Sequence, residues 1–81
     1  MGLEYKIVCQ PPTDSVIDRI RQRLPSSVSP SSEWPIYGFD VLADGIYFID
    51  HTVDSQVASH ALRVLLDSVL SGCDSVTLTE L

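Results

Sequence analysis

The dipeptide Asp44-Gly45, set between two apolar segments, constrains the fold of this chain more than any other feature. A two-residue type I′ turn needs positive φ at both central positions, and Asp and Gly tolerate this conformation. The segment 35–50 therefore predicts a β-hairpin whose turn is Asp44 and Gly45. In this register Leu42 faces Tyr47, and side chains alternate between a core face and a second face.

The second face of the predicted hairpin is more apolar than a water-exposed sheet surface requires. Its apolar members are Ile36, Leu42, Tyr47 and Ile49. Scattered apolar side chains are ordinary on an open sheet, and this interpretation stays available. The alternative is a contact surface of roughly a few hundred Å² for a partner or for a second copy of the chain.

Two elements are predicted on each side of the hairpin. Before it, apolar alternation predicts a strand over 4–9, and an apolar stripe predicts a helix over 14–24 capped by Thr13. After it, a longer stripe predicts a helix over about 53–70 capped by Thr52, and a last strand over 75–79 has Val76 and Leu78 pointing inward. A Ser/Pro-rich loop is expected at 25–32, and Trp34 is expected to plug one end of the core.

The order β-α-β-β-α-β indicates a single α+β domain over residues 1–81. Two helices on one face of a four-stranded antiparallel sheet, with strand order 4-1-3-2, would bury both apolar stripes. We therefore expect a ferredoxin-like two-layer sandwich. This arrangement leaves the second face of the hairpin open.

The net charge of −6 argues against the anionic partners that basic proteins bind. A protein that binds nucleic acids or anionic membranes gains most of its affinity from Lys and Arg side chains. We therefore expect neither as a partner. Acidity suits a basic protein partner, or simply solubility. We expect neither a signal peptide nor a membrane span, and two widely spaced cysteines suggest reduced thiols and a cytoplasmic protein.

One cluster of reactive side chains is expected from the topology. We expect Cys9, Asp50, His51 and Cys73 to meet at one edge of the sheet. Thiolates, an imidazole and a carboxylate would suit Zn²⁺. No spacing along the sequence indicates a metal, however, and free Cys commonly packs as a small apolar residue. The sequence therefore predicts neither a metal nor a cofactor.

The sequence motifs identify no family and predict no catalytic residues. A nucleophile elbow, a Gly-rich phosphate loop and a Cys-x-x-Cys pair are all missing from the sequence. We expect a non-enzymatic acidic interaction module, of inhibitor, immunity or adaptor type or a homodimer, that binds through the open sheet face. The alternative is a small-molecule or metal-binding regulatory domain that uses the edge around Cys9, His51 and Cys73.

Overall fold

Six elements in the order β-α-β-β-α-β make up the part of the chain that the structure describes, as the sequence predicts. The computed structural model describes residues 2–30 and 32–81. Within them the elements are β1 (Leu3–Val8), α1 (Asp14–Arg23), β2 (Tyr37–Leu42), β3 (Gly45–Asp50), α2 (Ser55–Leu70) and β4 (Thr77–Glu80).

The four strands form one antiparallel sheet with the order β2-β3-β1-β4. This is the predicted order read from the opposite edge. Ile20 of α1 and Leu65 of α2 belong to the same buried cluster as Ile7 of β1 and Phe48 of β3. Both helices therefore cover the sheet face that carries Ile7 and Phe48, and no helix of the described residues covers the other face.

The hairpin register differs from the prediction by two residues. Leu42 lies opposite Gly45 rather than Tyr47, and the turn consists of Ala43 and Asp44. Because side chains alternate with a period of two, this shift changes the cross-strand pairs but leaves the residues of β2 and β3 on their predicted faces. The predicted turn is wrong, whereas the predicted division into two faces is correct for the strand residues.

Gly45 is a strand residue with a special backbone conformation. It is buried at the start of β3 with φ +154°. A Cβ atom built on Gly45 would lie 1.9 Å from the carbonyl oxygen of Ile7 in β1. The residue must therefore be glycine because β1 and β3 approach each other too closely for a side chain.

The N-cap of α2 is Asp54, not the predicted Thr52. Asp54 Oδ1 accepts hydrogen bonds from the backbone N–H groups of Gln56 at 3.1 Å and Val57 at 3.2 Å. Thr52 instead has φ +61°, and its N–H donates to Asp50 Oδ1 at 2.7 Å. Thr52 is thus part of the turn that leads from β3 to the helix, and Asp54 satisfies the first helical N–H groups.

The segment predicted as a Ser/Pro-rich loop contains no helix or strand among its described residues; Ser31 lies outside them. Its start is attached to β2, because Ile36 N–H donates to Ser27 O at 2.6 Å and Tyr37 Oη donates to Pro25 O at 2.5 Å. Trp34 follows the segment and is 68% exposed. The prediction that Trp34 plugs the core is therefore wrong.

The last strand is an exposed edge. All four residues of β4 are exposed. Leu78 lies opposite Ile7 and so faces the helix layer as predicted, yet it remains 44% exposed because it lies at the rim of the core. Val76, just before the strand, packs partly against the core.

Candidate functional site

The sheet face turned away from the helices is the first candidate site, and we call it the open face. Strand alternation places Leu42, Tyr47 and Ile49 on it, and all three are half-buried. Val8 of β1 joins them and is 43% exposed. Val8 is not among the predicted interface residues, although its position in the β1 alternation indicates this face. Charged members of the open face are Glu4, Lys6 and Asp40.

Ile36 does not belong to the open face, in contrast to the prediction. It is 6% exposed and part of the hydrophobic core. Ile36 precedes the first residue of β2, and its N–H donates to Ser27 O in the loop rather than to β3. Regular strand alternation therefore does not set the direction of its side chain.

Polar interactions hold the centre of the open face. Tyr47 lies between Lys6 of β1 and Asp40 of β2, and its Oη donates to Glu4 Oε1 at 2.5 Å. This hydrogen bond raises the pKa of Tyr47, and loss of hydration and the Glu4 and Asp40 charges raise it further. The Tyr47 ring is thus fixed across the sheet with its hydroxyl protonated.

The charges next to the apolar residues of the open face are mostly negative. Lys6 Nζ lies 2.7 Å from Asp44 Oδ2, and the hydrogen bond from Lys6 lowers the pKa of Asp44. This pair largely neutralises Lys6, while Glu4 and Asp40 form no ion pair with any described residue. The apolar residues of the open face therefore have an acidic border, formed by Asp40 on the edge strand β2 and Glu4 on the inner strand β1.

Ile49 lies beside a glycine of the neighbouring strand. Gly38 lies directly opposite Ile49, and a Cβ atom on Gly38 would be 3.4 Å from Ile49 Cγ2. Without a side chain at Gly38, the Ile49 side chain can cover the β2 backbone at this point. The apolar part of the open face therefore reaches across the hairpin.

The second predicted cluster is divided between opposite ends of the sheet. Val8 of β1 lies opposite Gly45 and Leu3 opposite Asp50, because β1 and β3 are antiparallel. Cys9 follows Val8, whereas His51 follows Asp50, which puts about 20 Å of strand between them. The predicted convergence is wrong because the C-terminal ends of two neighbouring antiparallel strands lie at opposite ends of the sheet.

Cys9 and Cys73 lie at the same end and are both half-buried free thiols. Burial raises the pKa of the Cys9 thiol, and the neighbouring Cys73 raises it further. The described residues contain no group of three or more His, Cys, Asp or Glu side chains that could hold a metal ion. The two thiols therefore lack the further ligands that a zinc site requires.

The other end of the sheet carries Asp50, His51 and Trp34. The rings of Trp34 and His51 lie 6.0 Å apart with 30° between their planes. Asp50 Oδ1 accepts the Thr52 N–H, so this carboxylate stabilises the turn before α2. Asp50 and His51 thus form part of a turn beside an exposed aromatic ring.

A groove between α1 and the outer edge of β2 is a feature that sequence analysis did not identify. It encloses about 340 Å³ and is lined by Arg21, Leu24, Ser27, Tyr37, Gly38 and Phe39. Its basic member belongs to the run of three arginines in α1. The arginine run was visible in the sequence, but its position beside β2 depends on the tertiary structure.

Comparison of the chain with family models, with curated proteins and with solved structures finds no match. Among the described residues, no helix has the length and apolar character needed to cross a bilayer. Function must therefore be inferred from the surfaces of the molecule itself.

Proposed function

We propose that this chain is a non-enzymatic protein-interaction module that binds its partner through the open face. The observation that carries this proposal is the second sheet face, which no described helix covers although Val8, Leu42, Tyr47 and Ile49 lie on it. Contiguous apolar surface bordered by polar groups is typical of protein interfaces. We further propose that the two-layer arrangement is ferredoxin-like, on the basis of the element order and strand order.

The acidic border favours a basic partner. Glu4 and Asp40 flank the apolar residues, Lys6 is paired with Asp44, and the whole chain has a net charge of −6. Such a surface would attract a positively charged protein over several ångströms and increase its association rate. Two copies of the chain would bring like charges together, so a second copy is a less favourable occupant.

The alternative regulatory site has less support. A metal or small molecule held by Cys9, His51 and Cys73 would have to bridge opposite ends of the sheet. The apolar and aromatic side chains of the open face, in contrast, already lie on one surface. The interaction module is therefore the proposal we favour.

The test substitutes Tyr47→Lys, which puts a charge at the centre of the open face. Immobilised wild-type protein is used to capture a partner, which is then purified, and its affinity is measured by calorimetry. We expect Tyr47→Lys to weaken binding at least about tenfold, because it removes the aromatic ring from the centre of the open face and adds a positive charge that opposes a basic partner. His60→Lys adds the same charge on exposed α2 surface and is the matched control, with unchanged affinity expected.

Thermal unfolding separates binding from folding. Tyr47→Lys should unfold within a few degrees of the wild type, since Tyr47 contributes little to the core. If the variant binds as tightly as the control, or if it unfolds, the open face is not the binding surface. Sedimentation velocity on the wild type reports self-association, and a dimer broken by Tyr47→Lys would identify a second copy as the occupant.

A further inference from the structure

The outer edge of β2 has backbone groups that no strand pairs. His51 N–H donates to Ile36 O, which fixes the antiparallel pattern between β2 and β3. In that pattern the N–H and C=O groups of Gly38, Asp40 and Leu42 point toward β3, and those of the residues between them point outward. No described residue forms a hydrogen bond to the outward backbone groups of Phe39 or Val41.

The chain itself occupies the beginning of this edge. Ser27 O accepts the N–H of Ile36 at 2.6 Å, and Pro25 O accepts the Tyr37 hydroxyl. Beyond Tyr37 the loop leaves the strand, and the edge continues uncovered to Leu42. An added strand would therefore find free backbone groups directly after the point at which the loop departs.

The groove beside this edge provides room for side chains. Tyr37 and Phe39 line it from β2, Arg21 lines it from α1, and Leu24 lines it from the C-cap of that helix. The Arg21 guanidinium carbon lies 5.1 Å from the centroid of the Phe39 ring, a cation–π contact that holds the charge over the groove. An extended peptide paired to β2 would direct alternate side chains into this groove.

The positive charge of Arg21 in the groove favours a peptide that carries acidic residues. Arg21 forms no ion pair with any described residue, whereas Arg19 and Arg23 lie on the other side of α1 and line the cleft toward α2. Asp40 is in β2, but its side chain is on the open face and not in the groove. A carboxylate on the peptide would satisfy Arg21 with short charge-assisted hydrogen bonds as the groove loses water.

We propose that β2 accepts an extended acidic segment of another protein as a fifth strand. Its main chain pairs with Phe39 and Val41, and one of its carboxylates binds Arg21. β4 is the other edge, but all four of its residues are exposed and none of them lines the groove that Arg21 borders. This edge site is distinct from the open face and does not depend on the function proposed for that face.

The probe is the blocked heptapeptide Thr-Glu-Val-Glu-Val-Glu-Thr with a fluorescent label, and its counterpart with Lys in place of Glu is the charge control. We expect the Glu peptide to bind by fluorescence anisotropy and the Lys peptide not to bind. Arg21→Gln should raise the dissociation constant about tenfold, as expected for the loss of one charged hydrogen-bonded pair. Arg63→Gln removes the same charge from exposed α2 surface and should leave the affinity unchanged.

Amide hydrogen exchange identifies the strand that pairs. The Glu peptide should slow exchange of the Phe39 and Val41 amides in the wild type. A Glu peptide methylated on alternate backbone nitrogens should lose this effect and its affinity. The proposal is overturned if the Glu peptide fails to bind or if Arg21→Gln behaves like Arg63→Gln. Protection that appears at Leu78 and Glu80 of β4 would also overturn it.

Discussion

Substitution of Gly45 tests the hairpin register, which decides which backbone groups of β2 point outward at the edge of the sheet. In Gly45→Ala the new Cβ would lie 1.9 Å from Ile7 O, whereas Cβ atoms essentially never approach within 3.0 Å of another heavy atom, a shortfall of about 1.1 Å. The backbones of β1 and β3 would have to separate by about this distance, which breaks the Cys9 N–Asp44 O bond and the pair between Ile7 and Ile46.

These are three backbone hydrogen bonds, one between Cys9 and Asp44 and two in the Ile7–Ile46 pair. At about 1 kcal/mol each, their loss lowers the free energy of unfolding by about 3 kcal/mol. For a domain of this size the melting temperature should fall by roughly 12–24 °C. Urea unfolding followed by circular dichroism measures the first quantity, and a thermal scan measures the second. The loss is a large part of the roughly 5–15 kcal/mol that stabilises a typical domain.

Gly45→Asn distinguishes the two registers. If Gly45 were a type I′ turn residue, Asn would be tolerated there, because Asn adopts positive φ with little cost. The observed register predicts that Asn is as damaging as Ala, since both carry a Cβ. Gly72→Ala is the matched control: its Cβ would meet nothing closer than 3.8 Å, so we expect a change within about 0.5 kcal/mol. A Gly45→Asn protein as stable as Gly72→Ala would refute the register.

Two further predictions concern the α2 cap and the ion pair on the open face. Asp54→Ala should lower the free energy of unfolding in urea by about 1 kcal/mol, because it removes the acceptor for two N–H groups. Thr13→Ala, at a cap whose side chain bonds no backbone N–H, should cost clearly less, and equal losses would contradict this assignment. Lys6 lowers the pKa of Asp44 below its ordinary value of 3.8. The Lys6–Asp44 pair therefore stabilises the folded state fully above about pH 3.8, and this stabilisation is lost as the pH falls through the lowered pKa. The Tm difference between wild type and Lys6→Met should therefore vanish in strong acid, and a difference that persists there would have another cause.

The period-two pattern of the hairpin predicted which side chains share a face, but not which ones are opposite each other. Leu42 and Tyr47 are both on the open face, as predicted, although they do not pair. The Asp44-Gly45 dipeptide suits a turn, and the contact that overrides this preference is the approach of Ile7, which is distant in sequence. A local signal therefore gave the correct faces and the wrong turn.

Two errors at the sheet ends have a similar origin. The prediction placed Cys9 and His51 together, but they follow neighbouring antiparallel strands, whose C-terminal ends lie at opposite ends of the sheet. Trp34 was expected in the core, yet the loop bonds at Ser27 and Pro25 fix Ile36 and Tyr37 as the buried residues there. Burial at a loop-to-strand junction depends on such long-range bonds, which composition and periodicity do not encode.

The two proposed surfaces share strand β2 and differ in charge. Leu42 lies on the open face beside an acidic border, and the outer edge of the same strand is close to Arg21. A fifth strand on β2 would direct half of its side chains into the groove and the other half onto the side of the open face. An edge peptide would thus enlarge the surface offered to a partner on the open face. Any resulting change in the affinity for that partner must, by thermodynamic linkage, be matched by an equal change in the affinity for the peptide.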